Sequence, residues 1–185
     1  MDENEVRADC LARTGADQMK IVDLFVAQLD EEAARTRRTL ERVPEGRDDW
    51  KPHDKSMPFG RLAMLVARMP SWFSLIVGQD ELNLGAGNVD QRALRTSREL
   101  VQAHDEGVAG ARQALAKATD EYLLTTKWRL LVGAQVVSEQ PRYIVVRDTF
   151  MHWSHHRGQL TVYLRLNGAP VPAIYGPSAD DTRFA

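Results

Sequence analysis

An all-α fold, a four-helix bundle with long crossover connections, is what this chain predicts. Apolar residues recur at helical spacing in four long stretches. Proline, glycine and Asn-Gly stops separate those stretches. Only one segment, rich in valine and leucine, departs from the helical period.

The first helix is expected from about Asp17 to Val43, with Met19, Val22, Phe25, Val26, Leu29, Ala33, Thr36, Leu40 and Val43 on its buried stripe. Pro44 and Gly46 stop it. The second begins near Ser56, a reasonable N-cap with Pro58 in the first turn, and turns Leu62, Leu65, Val66, Met69, Phe73 and Ile76 inward. Pro70 interrupts or kinks this helix, because it has no N–H to donate. Gly78, Gly85 and Gly87 mark a long connection. The third helix starts at Thr96 or Ser97, carries Glu99 near its positive dipole end and ends near Thr119, with Val101, His104, Val108, Ala111 and Leu115 on one stripe. Trp128 to Val137, with Gly133 in its middle, reads as either a packed loop or a short hairpin. The fourth helix runs from about Pro141 to Leu166, and Asn167-Gly168 ends it. The tail from Ala169 has three prolines and is not helical.

A length of 185 residues suits one domain, residues 17–185 including the tail, behind a flexible N-terminal segment 1–16. A net charge of -2 gives no general attraction to nucleic acid or anionic membrane. Arg35, Arg37, Arg38 and Arg42 alternate with Glu31, Glu32 and Glu41, the pattern of a solvated helix face. One cysteine, Cys10, allows no internal disulfide and reads as incidental. No stretch approaches the roughly 20 apolar residues needed to span a bilayer, and the polar N-terminus lacks a signal-peptide core. The expectation is a cytoplasmic protein.

The chemistry concentrates in residues 151–160, Met-His-Trp-Ser-His-His-Arg-Gly-Gln-Leu, which hold three of the five histidines. His152 and His156 are four apart and share a helix face, so both imidazoles can address one ion. His155 is rotated away. The pair reads as two metal ligands in the bundle wall or as two half-buried histidines satisfied by neighbouring carbonyls. Asp148 lies roughly 12 Å along the helix from His156, too far to share its ion. It is placed to orient His152 through a hydrogen bond, or is simply exposed. No phosphate loop, dinucleotide fingerprint or nucleophile elbow is present, so no residue is assigned to cofactor binding.

The stretch HWSHHRGQLTVYLRLNGAPVPAIYGPSADD, residues 152–181, resembles the C-terminal signature of the DinB-like (damage-inducible) four-helix proteins, also called the YfiT-like metal-dependent family. WKPHDKSMPFGRLAMLVARMPSW, residues 50–72, is similar to the second-helix block of that family. The resemblance covers most of the chain from about Asp17. It implies a divalent metal (zinc, nickel or iron) on three histidines, one from the second helix and two from the fourth. His152 and His156 match the latter. The second-helix ligand falls at Leu65, within Gly60-Arg61-Leu62-Ala63-Met64-Leu65, and leucine offers no lone pair. His104, on an otherwise apolar stripe, is the candidate replacement, or else a core side chain. Without a third ligand a metal is held weakly or not at all.

Two functions follow from the resemblance. One is a metal-dependent transferase acting on a small-molecule thiol or electrophile, in which the metal would activate a thiolate. The other is a non-catalytic, stress-associated bundle that binds a ligand where the metal site was lost. A homodimer is implied in either case.

Overall fold

The computed structural model describes residues 19–86 and 93–183. The N-terminal segment, Cys10, the expected start at Asp17 and Gly87 lie outside the described residues. The rest is mostly helical: α1 (Ile21–Leu40), α2 (Phe59–Arg68), α3 (Pro70–Gly78), α4 (Ser97–Lys117), α5 (Asp120–Thr125) and α6 (Arg142–Leu166). The strict all-α expectation does not hold. Strands β1 (Glu81–Asn83), β2 (Lys127–Val132) and β3 (Gln135–Pro141) form a small sheet in the order β1-β2-β3. β1 runs parallel to β2, and β2 and β3 form an antiparallel hairpin about Gly133, whose φ is 60°. The open choice over Trp128–Val137 thus resolves to a hairpin. α5 and β1 were not legible, being six and three residues long.

The core is one cluster. Phe25, Leu29, Leu62, Val66, Phe73, Leu100, Leu115, Trp153 and Leu160, from all the long helices, are buried in it. α3 packs closely on α4. A Cβ at Gly107 would stand 3.2 Å from the backbone nitrogen of Ser71 and 3.3 Å from Pro70 Cβ, so the missing side chain sets this approach.

Pro70 divides the second helical run as expected. α2 ends at Arg68, and Pro70 is the first residue of α3. A proline at position 70 cannot donate to the carbonyl of residue 66. Trp153 Nε1–H of α6 takes that carbonyl instead, at 3.0 Å, so the break in one helix becomes an attachment point for another.

Other helix ends are also closed by distant residues. The first N–H groups of α1, on Ile21 and Val22, donate to the carboxylate of Asp120 on α5 at 3.0 and 3.1 Å. At the C-terminal end of α3, Tyr122 donates to the Val77 carbonyl, and buried Arg142 donates to the carbonyls of Ile76 and Gln79 and to the Asp80 carboxylate. Local caps close two others, and Thr119 accepts from the Tyr122 N–H at the start of α5. Thr96 and Glu99 form a reciprocal capping box on α4. Ser56 is not the cap of α2, which opens after Pro58 without a side-chain cap.

The arginine-rich pattern of α1 is solvated only in part: Glu31, Arg37, Glu41 and Arg42 are exposed as expected, while Glu32, Arg35 and Arg38 turn toward the tail. Glu32 and Thr36 are 2% and 0% exposed. Their cover is the tail, which Arg35 and Arg38 bind through the carbonyls of Ile174 and Ala173. No helix among the described residues is long and apolar enough to cross a membrane.

Candidate functional site

His152 and His156 meet. Their Nε2 atoms are 2.8 Å apart and their ring centroids 4.6 Å apart, the result of a four-residue spacing on the regular helix α6. His156 Nδ1 lies 2.8 Å from Gln159 Oε1. An amide oxygen can only accept, so the His156 proton sits on Nδ1 and its Nε2 keeps a lone pair. His152 Nε2–H donates to that lone pair. Gln159 thus fixes a tautomer, a role the sequence carries in the spacing His-x-x-Gln but which was not read there. His155 is exposed, with its ring edge toward His156 at 5.1 Å.

His152 also packs against the Trp72 ring at a centroid distance of 5.6 Å. Partial burial there, followed by repulsion from His156 and His155, lowers its pKa below the usual histidine value. Asp148, one turn earlier, takes two hydrogen bonds from Arg147, at 3.0 and 2.8 Å.

The other expected participants lie elsewhere. Leu65 is half-buried in the apolar packing of α2. His104 is 1% exposed and stacks near Trp153 at a ring distance of 5.9 Å. Its Nδ1 meets Asp105 Oδ1 at 2.9 Å, and its Nε2 is buried without a partner. It lines a groove with Ala33, Arg37 and Asp105, whereas His152 lines a different one. Desolvation lowers the His104 pKa despite the opposing bond from Asp105. Among the described residues no three His, Cys, Asp or Glu side chains converge as a metal group would require. The donors present supply two ligands of a three-histidine centre and do not fit the whole of it.

The groove beside His152 has a volume of about 370 Å³. Trp72, Leu75 and Ile76 of α3 form one wall, Leu82 of β1 with Trp128 and Leu130 of β2 a second, and Val145, Asp148, Thr149 and His152 of α6 the third. Side chains alternate along a strand, so Trp128 and Leu130 turn into the groove while Lys127 and Arg129 turn out to ion-pair with Glu139 and Glu81. Ser138 and Gln140, which register with Leu130 and Trp128, line the same side. The hairpin left open at the sequence level therefore builds a wall of the site.

A second polar centre lies on another side of α6. Arg157, 1% exposed, pairs with Glu32 at 2.5 Å and donates to Thr36 Oγ1 and Tyr175 Oη at 3.0 and 2.6 Å. Gln28, Arg35 and Tyr175 also donate to the Glu32 carboxylate. Arg157 is thus a buried residue of the bundle and not a surface one. Arg165 does meet a tail carboxylate, Asp180, at 2.5 Å. This centre ties α1, α6 and the tail together.

Similar proteins share this architecture. The protein YrdA of Bacillus subtilis (strain 168) is 22% identical over 160 residues, covering 86% of this chain and 91% of its own. A DinB-like crystal structure from Bacillus cereus ATCC 10987 matches with a TM-score of 0.63 at 21% identity, over 82% of this chain and 95% of that one. A DinB-like protein from Bacillus subtilis gives 0.62 at 18% identity, over 86% and 99%. At these identities the structures speak for the fold alone. The family model for the DinB family, however, matches residues 17–183, and by that match together with the shared fold the chain belongs to the DinB family.

Proposed function

We propose that this protein is a four-helix-bundle member of the DinB family that binds a small, largely apolar molecule in the groove beside His152, on what remains of a metal centre. Its four members are α1, the α2–α3 pair, α4 and α6. The observation that carries the reading is the groove: a concave apolar space of about 370 Å³ with a few polar side chains at its edge, which is the usual build of a small-molecule site. His152 stands at that edge with its partner proton donor and acceptor roles set by His156 and Gln159. The lone cysteine and absence of a long apolar span support a cytoplasmic setting, and the family resemblance supports a homodimer.

A second reading, metal-dependent transfer on a small thiol or electrophile, draws support from the two converging Nε2 atoms and from Gln159. It lacks a third ligand, since Leu65 carries no donor. One set of measurements separates the two. Titration with 1-octanol, followed by tryptophan fluorescence from Trp72 and Trp128, should show saturable binding that survives a chelator. Untagged protein should hold well under one equivalent of zinc, nickel or iron, and Leu65→His should gain tight zinc binding. A full equivalent of metal in the unmodified protein, lost in the His152→Ala, His156→Ala double variant, would transfer the function to the enzymatic reading. Absence of any octanol binding would sink the groove reading.

A further inference from the structure

The charge of the groove narrows the ligand. Resting on the small-molecule reading above, we infer that the groove selects a primary alkylamine in its ammonium form, with the apolar chain between Trp72 and Trp128 and the ammonium group at Asp148. Asp148 is the only Asp, Glu, Lys or Arg among the described residues that line the groove. The cations of β2 are directed elsewhere, and Arg147 pairs with Asp148 through Oδ1 alone. Arg129 and Lys127 occupy the outer face of β2, paired with Glu81 and Glu139. Arg147 holds one edge of the Asp148 carboxylate, through Oδ1, and itself lines a separate groove with Phe25 and Phe150. Among the described residues no hydrogen bond reaches Asp148 Oδ2. A carboxylate beside an apolar wall attracts a cation more strongly than it would in open water, because the local dielectric is lower. Ser138 and Gln140 offer further oxygen acceptors on the β3 side for the three ammonium hydrogens.

A free amine differs from the lysine side chain of a peptide in one respect that the groove tests. An eight-carbon chain can lie along the apolar wall, whereas the stem of a lysine is four carbons long and flanked by polar backbone. The probes are therefore n-octylamine, n-octanoate, 1-octanol and N-acetyl-lysine methylamide, titrated into the full chain at pH 8 and read by tryptophan fluorescence. Octylamine should bind at least about tenfold more tightly than octanoate, equivalent to about 1.4 kcal/mol. Asp148→Asn should remove that ratio; Asp148 is exposed, so the variant keeps the fold. Octylamine and octanoate binding equally, or a ratio that persists in Asp148→Asn, overturns the inference while octanol binding keeps the groove reading. N-acetyl-lysine methylamide binding as tightly as octylamine overturns the assignment to a free amine. Failure of all four probes, octanol included, removes both.

Discussion

At the scale of single residues, the two histidine environments have opposite chemistry. His156 is given a partner for each ring nitrogen, while His104 is buried with one nitrogen orphaned. The sequence exposed His104 as an anomaly on an apolar stripe but could not say whether it faced the histidine pair. Side-chain packing decides that: its ring lies toward Trp153 and its groove toward Arg37. Its lowered pKa has a thermodynamic consequence. The unfolded chain takes up a proton near the ordinary value of 6.5, before the folded protein does. Stability should therefore be fully present above that value and fall as the pH drops toward the lower folded value. Urea midpoints measured at pH 8 and pH 5.5 should show this decline, and His104→Leu should reduce it. His152 is shifted in the same direction and leaves a residual slope. An unchanged pH dependence in His104→Leu would show that this imidazole does not titrate with folding.

At the scale of elements, the long helices were legible because periodicity and stop signals are local. Pro70, Thr96 and Asn167-Gly168 each act within a few residues of themselves, and Gly168 takes the left-handed φ of 72° that ends α6. The capping partners at the start of α1 and the end of α3 were not legible, because they are the distant residues Asp120, Tyr122 and Arg142. The same contrast explains the sheet. A three-residue β1 has no pattern of its own and exists only because β2 lies beside it. The local cap offers a clean test. Thr96→Ala removes the hydroxyl that accepts from the Glu99 N–H and should cost about 1 kcal/mol in denaturant unfolding. Thr96→Ser should retain most of it.

At the scale of the molecule, the buried Arg157–Glu32 pair joins α1, α6 and the tail, which explains why the Tyr-Gly-Pro-Ser-Ala-Asp segment stays ordered on the bundle. Ser178, Asp180 and Asp181 fold that segment on itself through the N–H groups of Val171 and Ala173 and the Val171 carbonyl. Removing one charge of a buried pair leaves the other unmatched, so Arg157→Leu should lower stability by about 3 kcal/mol. The Arg157→Leu, Glu32→Leu double variant should recover much of the loss, and a double variant as unstable as the sum would contradict the pairing. By itself the sequence determined the four long helical stretches, the Pro70 break and the pairing of His152 with His156, because each depends on spacing along one helix; the missing donor at Leu65 is what the family resemblance implies. Only the tertiary structure decided that His104 lies apart, that the tail covers Glu32 of α1, and that a hairpin walls an apolar groove beside His152. Those features join residues far apart in the chain, and one-dimensional spacing carries no record of which distant faces come to pack together.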